Sequence, residues 1–377
     1  MIRRSASLIA VTAELALDLA VPADQLTAAL VDIASVSGDE DILMTAIEQA
    51  IRLASAGADG LAGLSVMRDG NVVIARTDRG LSERIVLAGH VDTVPIADNL
   101  PSRVADGRLY GCGTSDMKSG VALQLRMAHL IATGALRPSR DVTWLFYDCE
   151  EIEADRNGLN RIAAHTPELL QGDLAILLEP TNGVVEAGCQ GSLRVAVTVP
   201  GTRAHSARSW LGVNAIHEAA PVLARLAAYR AESVDVDGLT YREGLNAVFI
   251  RGGVAGNVIP DECIVTVNYR FAPDKTLDAA EAHVRGVFEG YDLAILDRAP
   301  AARPGLNTAI AAQAVAALGG RVEAKLGWTD VARFSELGIP ALNFGPGDPN
   351  LAHQAGEYVD LAVLAAAEPA LVAFLSG

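Results

Sequence analysis

Four short apolar runs, each ending in residues that can carry chemistry, constrain this chain more than any other feature of its sequence. Ile85-Val-Leu-Ala-Gly89 runs into His90-Val-Asp92, and Val142–Tyr147 runs into Asp148-Cys-Glu150-Glu151. Leu174–Leu178 runs into Glu179-Pro180, and Ala341–Phe344 into a Gly/Pro/Asp loop that carries His353. Short runs without alternation are the mark of strands buried on both faces. Further strand signals lie at Leu64–Arg68 and Asn71–Arg76, and stretches at helical spacing alternate with the strands. The helical stretches run from Leu26 to roughly Leu53, broken at Ser35–Gly38, then from Met117 to about Thr133, and over Thr308–Leu318. Strands alternating with helices predict an α/β fold, a mixed and mostly parallel sheet with helices on both faces. Ligands of such sheets gather beyond the carboxyl ends of the strands, where the polar residues just named fall.

Between about Ser192 and Arg303 the texture changes to a strand-helix-strand-strand-helix set: Leu193–Val199, Asn214–Ala231, Ala247–Arg251, Cys263–Phe271 and Leu277–Phe288. This predicts a catalytic, metal-binding domain over 1–191 and 304–377, with a smaller α+β two-layer sandwich inserted over 192–303. A length of 377 residues suits two domains.

Thirty Lys and Arg against 46 Asp and Glu give a net charge of −16, which repels phosphate backbones and anionic lipid, so neither nucleic acid nor membrane is expected as a partner. No stretch reaches the ~18 apolar residues of a membrane span. Cys112, Cys149, Cys189 and Cys263 are far apart, without a C-x-x-C pair, which fits a reducing cytoplasm and argues against a disulfide scaffold or a thiolate zinc knuckle. Arg3 and Arg4 precede the apolar Leu8–Val11, but Glu14 and Asp18 interrupt where an export signal needs an uncharged core.

Taken singly, the polar residues have bland readings. Asp116 complements a helix N-terminus, Glu179 is a solvated strand-end carboxylate, and His353 is a surface histidine. Glu150-Glu151 is more telling, since adjacent carboxylates repel unless cations or protons offset them. Together, His90, Asp116, Glu151, Glu179 and His353 sum to −3 with neutral imidazoles, a charge that two dications balance better than one. With Asp116 bridging, each ion takes one histidine, one terminal carboxylate, one oxygen of Asp116 and a shared water. Nitrogen and oxygen donors without thiolate suit zinc, cobalt or manganese. Asp92 is placed to fix the His90 ring, and Glu150, spare in this count, is the general base of a hydrolysis. His205, in Gly201-Thr-Arg-Ala-His-Ser206, is the candidate donor to an oxyanion. His129, His165, His217 and His283 read as structural.

At these residues the sequence resembles the dinuclear-zinc aminoacylase and carboxypeptidase family of metallohydrolases. The matching stretches are GHVDTVP (89–95), GCGTSDMKSG (111–120), DCEEIEA (148–154), LEPTNG (178–183), GTRAHSARSWLGVNAIH (201–217), GGVAGNVIPDE (252–262), NYRFAPD (268–274), GWTDVARF (327–334) and NFGPGDPNLAH (343–353). The resemblance implies amide cleavage of an N-acyl amino acid, here N-succinyl-LL-2,6-diaminopimelate, with N-acetylornithine or a dipeptide as alternatives and a non-catalytic binding homologue as a further one. It implies one ion on His90, Asp116 and Glu179, the other on Asp116, Glu151 and His353, and Glu150 as base. It also implies a homodimer through 192–303 that carries His205 to the partner's site, and substrate contacts from Ser192, Asn257, Thr329, Arg333 and Asn350. Gly188-Cys-Gln-Gly-Ser192 departs from the Gly-Arg-Arg-Gly-Ser of many relatives, and Gly347-Asp-Pro-Asn350 with Leu351-Ala replaces a usual Thr-Ile. Arg194, Arg203 and Arg208 are the candidates to supply the missing cation.

Overall fold

The computed structural model describes residues 16–56 and 64–377, so the leader reading of Arg3 to Glu14 falls outside the described residues. The chain divides into two compact units, one of residues up to Ala187 with Gly305–Glu323 and Arg333–Gly377, the other of Gly188–Pro304 with Ala324–Ala332.

The first unit is built on an eight-stranded mixed sheet. Its order is Ser65–Asp69, Val72–Arg76, Asp141–Tyr147, Arg84–His90, Leu174–Leu177, Ala341–Asn343, Val185–Ala187 and Val322–Ala324. Arg84–His90 runs parallel to both its neighbours, and Ala341–Asn343 runs parallel to Leu174–Leu177, while Val72–Arg76 and Val185–Ala187 pair antiparallel. The sheet is therefore mixed, with a parallel centre, as the apolar runs predict. All residues of Asp141–Tyr147 and of Leu174–Leu177 are buried, which requires cover on both faces. Leu174, Ile176 and Leu177 each contribute about 1.5–3 kcal/mol of burial. Helix Ser119–Ala132 packs on Arg84–His90 and Asp141–Tyr147, with Ala23–Asp32 and Leu361–Ser376 laid against it, and Asp41–Ala56 covers Val72–Arg76. Gly120 lets that helix close on the sheet, because a Cβ there would lie 2.1 Å from the carbonyl oxygen of Leu178.

The second unit holds a four-stranded antiparallel sheet in the order Gly244–Gly252, Glu262–Phe271, Gly191–Pro200 and Asp292–Ala299. Its core joins Val195, Val197, Val265 and Val267 to Val222, Val284 and Phe288 from the helices. Two expectations are corrected. Asp292–Ala299 is a fourth strand that the five-element reading lacked; it alternates exposed and half-buried residues and carries two Asp and an Arg, so its apolar signal is weak. The helix expected over Asn214–Ala231 forms as Ala215–Glu218 and Ala220–Ala228, because Pro221 has no N–H to give the preceding turn. No helix among the described residues is long and apolar enough to cross a membrane.

Candidate metal centre

The first unit brings four of the five expected ligands together. His90 closes its strand fully buried, and its Nε2 lies 3.2 Å from Oδ1 of Asp116. The other oxygen of Asp116 lies 3.6 Å from Nε2 of His353, and His353 in turn lies 2.9 Å from Glu151. One carboxylate thus faces two imidazoles from segments far apart in the chain. Donor atoms of His90, Asp116 and Glu151 all lie within 4.8 Å of one another. Glu179, buried at the end of the neighbouring parallel strand, adds its negative charge to the field on His90.

Asp92 organises the centre from behind. The Nδ1 of His90 lies 3.1 Å from the backbone carbonyl of Asp92 and 3.4 Å from its carboxylate, so Nδ1 carries a proton and Nε2, the nitrogen that faces Asp116, is the one a metal would take. The Asp92 carboxylate accepts from the Ser37 hydroxyl at 2.7 Å and from the backbone N–H groups of Glu150 and Glu151 at 3.0 and 3.1 Å. Burial pushes this carboxyl up, but the His90 and Ser37 hydrogen bonds and the Glu150 N–H hold it below the usual range. Burial likewise opposes a charge on His90, and the carboxylates of Asp116 and Asp92 overcome it and raise its pKa well above the ordinary value. The Glu151 hydrogen bond raises His353 to about 9.

Asp116 does not stand on a helix. It sits in a wide turn, Thr114–Lys118, with φ −121° and ψ 98°, and the regular helix begins at Ser119, so its role is not to complement a helix dipole. What holds this turn is a residue the sequence reading missed. Glu357 is buried, and its carboxylate accepts from the backbone N–H groups of Gly113 at 3.1 Å, Ser115 at 2.8 Å and Asp116 at 3.0 Å. Burial pushes Glu357 up to about 7. A carboxylate that serves backbone amides more than 240 residues away has no local sequence signature.

A second group of donors, Glu40, Asp148 and Cys149, is also close-set, but its atoms are already engaged. Glu40 accepts from the Gly38 N–H and the Cys149 thiol, and Asp148 pairs with Arg161 at 2.8 Å. Burial pushes the Cys149 thiol up to about 12, far from the thiolate a metal would need.

Of the other residues singled out, Asn350 is exposed and donates to Asp348, and Arg333 lies on the short helix Val331–Glu336, 3.3 Å from Glu336. In the second unit, His205 is exposed, and its Nδ1 accepts the Ala207 N–H at 3.0 Å. That bond leaves Nε2–H as the free donor of the neutral ring. Asn257 is joined to the same turn through its carbonyl, which accepts the Ser206 N–H. Ser192 accepts from Asn268, and the strand register sets Arg270, a half-buried cation, opposite Ser192. Arg194 and Arg203 pair instead with Asp297 and Asp261. Thr329 is buried, its carbonyl accepting the Cys189 thiol.

Nitrogen and oxygen donors without thiolate, converging on a shared carboxylate at the carboxyl edge of a mixed α/β sheet, are the donor set of a metal-dependent hydrolase and are consistent with a pair of divalent ions. The chain belongs to Peptidase family M20/M25/M40, whose sequence profile matches residues 86–376. It is 55% identical over 363 residues to DapE of Mycobacterium tuberculosis (strain CDC 1551 / Oshkosh), an alignment covering 96% of this chain and 100% of that protein. It is 52% identical over 338 residues to succinyl-diaminopimelate desuccinylase of Corynebacterium glutamicum, covering 88% of this chain and 90% of that protein. Among solved structures, a tripeptidase from Staphylococcus aureus shares the fold with a TM-score of 0.75 at 22% identity, over 93% of this chain and 96% of that one.

Proposed function

We propose that the protein hydrolyses the amide bond of N-succinyl-LL-2,6-diaminopimelate to succinate and LL-2,6-diaminopimelate. The observation that carries the chemistry is Asp116, with one oxygen toward His90 and the other toward His353. His90, Asp116 and Glu179 would hold one divalent ion, and Asp116, Glu151 and His353 the other, zinc being the metal best suited, with cobalt or manganese as substitutes. When bound, such ions lower the pKa of water and polarise the scissile carbonyl. Glu150 is half-buried beside Glu151, its backbone tied to Asp92. It takes the proton of the attacking water and delivers it to the leaving amine. His205, with Nε2–H free, donates to the oxyanion.

The choice of substrate rests on the extent and identity of the match to the two actinobacterial relatives. In this reading Ser192, Asn257, Thr329, Arg333 and Asn350 contact the substrate, and Arg270 supplies the cation missing near Cys189, since guanidinium binds carboxylate bidentately. A homodimer through 192–303 is supported by the edge strand Gly244–Gly252, which leaves Val248, Phe249 and Ile250 exposed. Four free, buried cysteines suit a reducing cytoplasm.

Gln190, buried and neutral where many relatives carry arginine, favours a second reading, a sister deacylase or dipeptidase such as one acting on N-acetylornithine. Amine release from N-succinyl-LL-diaminopimelate, N-acetylornithine and a few dipeptides, with and without chelator, separates the two. Chelator-sensitive preference for the succinyl compound supports the first reading. Activity on another compound alone moves the enzyme to the second, and none at all leaves a binding homologue.

A further inference from the structure

The loop that carries His353 is fastened to the turn that carries Asp116 at both of its ends. On the near side, the Ser115 hydroxyl donates to the Asp348 carbonyl at 2.9 Å, and Gly347 lies so close that a Cβ there would meet the Ser115 carbonyl oxygen at 2.1 Å. On the far side, the buried Glu357 carboxylate gathers the N–H groups of Gly113, Ser115 and Asp116, while its own carbonyl accepts the Gly111 N–H at 3.2 Å. Gly113 has φ +82°, and Asp116 departs from helical geometry, so this turn is not held by a regular hydrogen-bond ladder. One carboxylate therefore pairs three backbone amides of this segment that no helical ladder satisfies.

We infer that Glu357 is a positioning residue of the metal centre: it fixes the Asp116 turn against the His353 loop, so that the shared carboxylate keeps one oxygen toward each histidine. The inference rests on the proposed two-ion site and adds to it a residue that touches neither ion nor substrate. The clamp needs both side-chain oxygens of Glu357 as acceptors. One Glu357 oxygen takes the Ser115 and Asp116 N–H groups and the other takes Gly113. An amide in its place must turn its NH2 toward one of these donors, so Glu357→Gln breaks part of the clamp while keeping the size of the side chain.

The test compares wild type, Glu357→Gln and Glu357→Asp by cobalt(II) titration, read through the visible d–d spectrum, with kcat and KM measured at saturating metal. Glu357→Gln is expected to weaken cobalt binding by about 10–100-fold, the range for residues that orient metal ligands, to change the spectrum, and to lower kcat with KM little altered. Glu357→Asp, which keeps the anion on a shorter arm, is expected to recover part of the loss. Wild-type affinity and spectrum in Glu357→Gln would overturn the inference, even if its melting temperature fell. Amide exchange on the metal-free wild type gives an arm free of any variant: the N–H groups of Gly113, Ser115 and Asp116 should exchange slowly, and exchange at the rate of exposed loops would equally overturn it. A wild-type protein that takes up no cobalt would remove the two-ion reading itself, with the exchange result still deciding whether Glu357 fixes the turn.

Discussion

His353 holds its Nε2 2.9 Å from Glu151, and this pair stores a proton in the metal-free chain. The Glu151 hydrogen bond raises the His353 pKa from 6.5 to about 9, and His90 is raised in the same direction. A folded-state pKa above the unfolded one stabilises the native chain fully below 6.5 and ceases to do so as pH rises through about 9. Metal must displace the same protons. Zinc uptake is therefore expected to release protons and to tighten with pH up to about 9, while the chelated protein loses stability over that interval. Calorimetric titration in buffers of different ionisation enthalpy, with melting curves of the chelated protein, checks both; an affinity independent of pH would refute the assignment.

Glu150→Gln is expected to keep its metal and lose about 10²–10⁴-fold in kcat, because the side chain serves as base while the main chain bonds to Asp92. Metal analysis of the purified variant beside its steady-state rate is the check. Turnover within tenfold of wild type would mean that another group takes the proton.

Asp92→Asn would turn an NH2 toward at least one donor among Ser37, Glu150 N–H and Glu151 N–H in a fully buried position. A cost of about 1–3 kcal/mol in stability follows from the unsatisfied donors. Because the same carboxylate aligns the chain at Glu150 and Glu151, metal affinity should fall by about 10–100-fold. Denaturant midpoints and zinc competition assays measure the two effects separately.

Gly120→Ala places a methyl against the carbonyl of Leu178, one residue before Glu179. Overpacking of this kind costs about 1–3 kcal/mol. The variant should melt earlier and, since the strand end must shift, bind its first ion more weakly; unchanged melting would show that the helix can back away from the sheet.

Mixing His205→Ala with Glu150→Ala subunits tests whether the histidine acts across a dimer. Recovery of activity on subunit exchange is expected, since one site of the mixed dimer then has both groups. No recovery after proven exchange assigns His205 to its own subunit.

Much of the first unit is legible in the sequence because its strands are apolar throughout and stop at charged residues, which sets His90, Glu150-Glu151, Glu179 and the His353 loop on one edge. The sheet of the second unit was harder to read. Asp292–Ala299 packs only one face, and its outward residues dilute the signal, while Pro221 breaks a helix whose apolar spacing runs on unbroken. Asp116 looked like the first residue of a helix since Ser115-Asp116 precedes an amphipathic run, whereas a wide turn intervenes. Glu357 was invisible for a different reason: its partners are backbone amides, which every sequence has and none displays.

The second unit is also joined at its waist. Cys189 and Ala302 exchange both backbone hydrogen bonds, at 3.0 and 3.1 Å, so the chain that departs after Ala187 comes back beside the point it left. An insertion whose two ends are neighbours needs no long connecting loop, and a gene can acquire, exchange or shed such a cassette without redrawing the sheet on either side of it. Only Ala324–Ala332, which joins that unit from a later stretch of the chain, would have to travel with it as a separate piece.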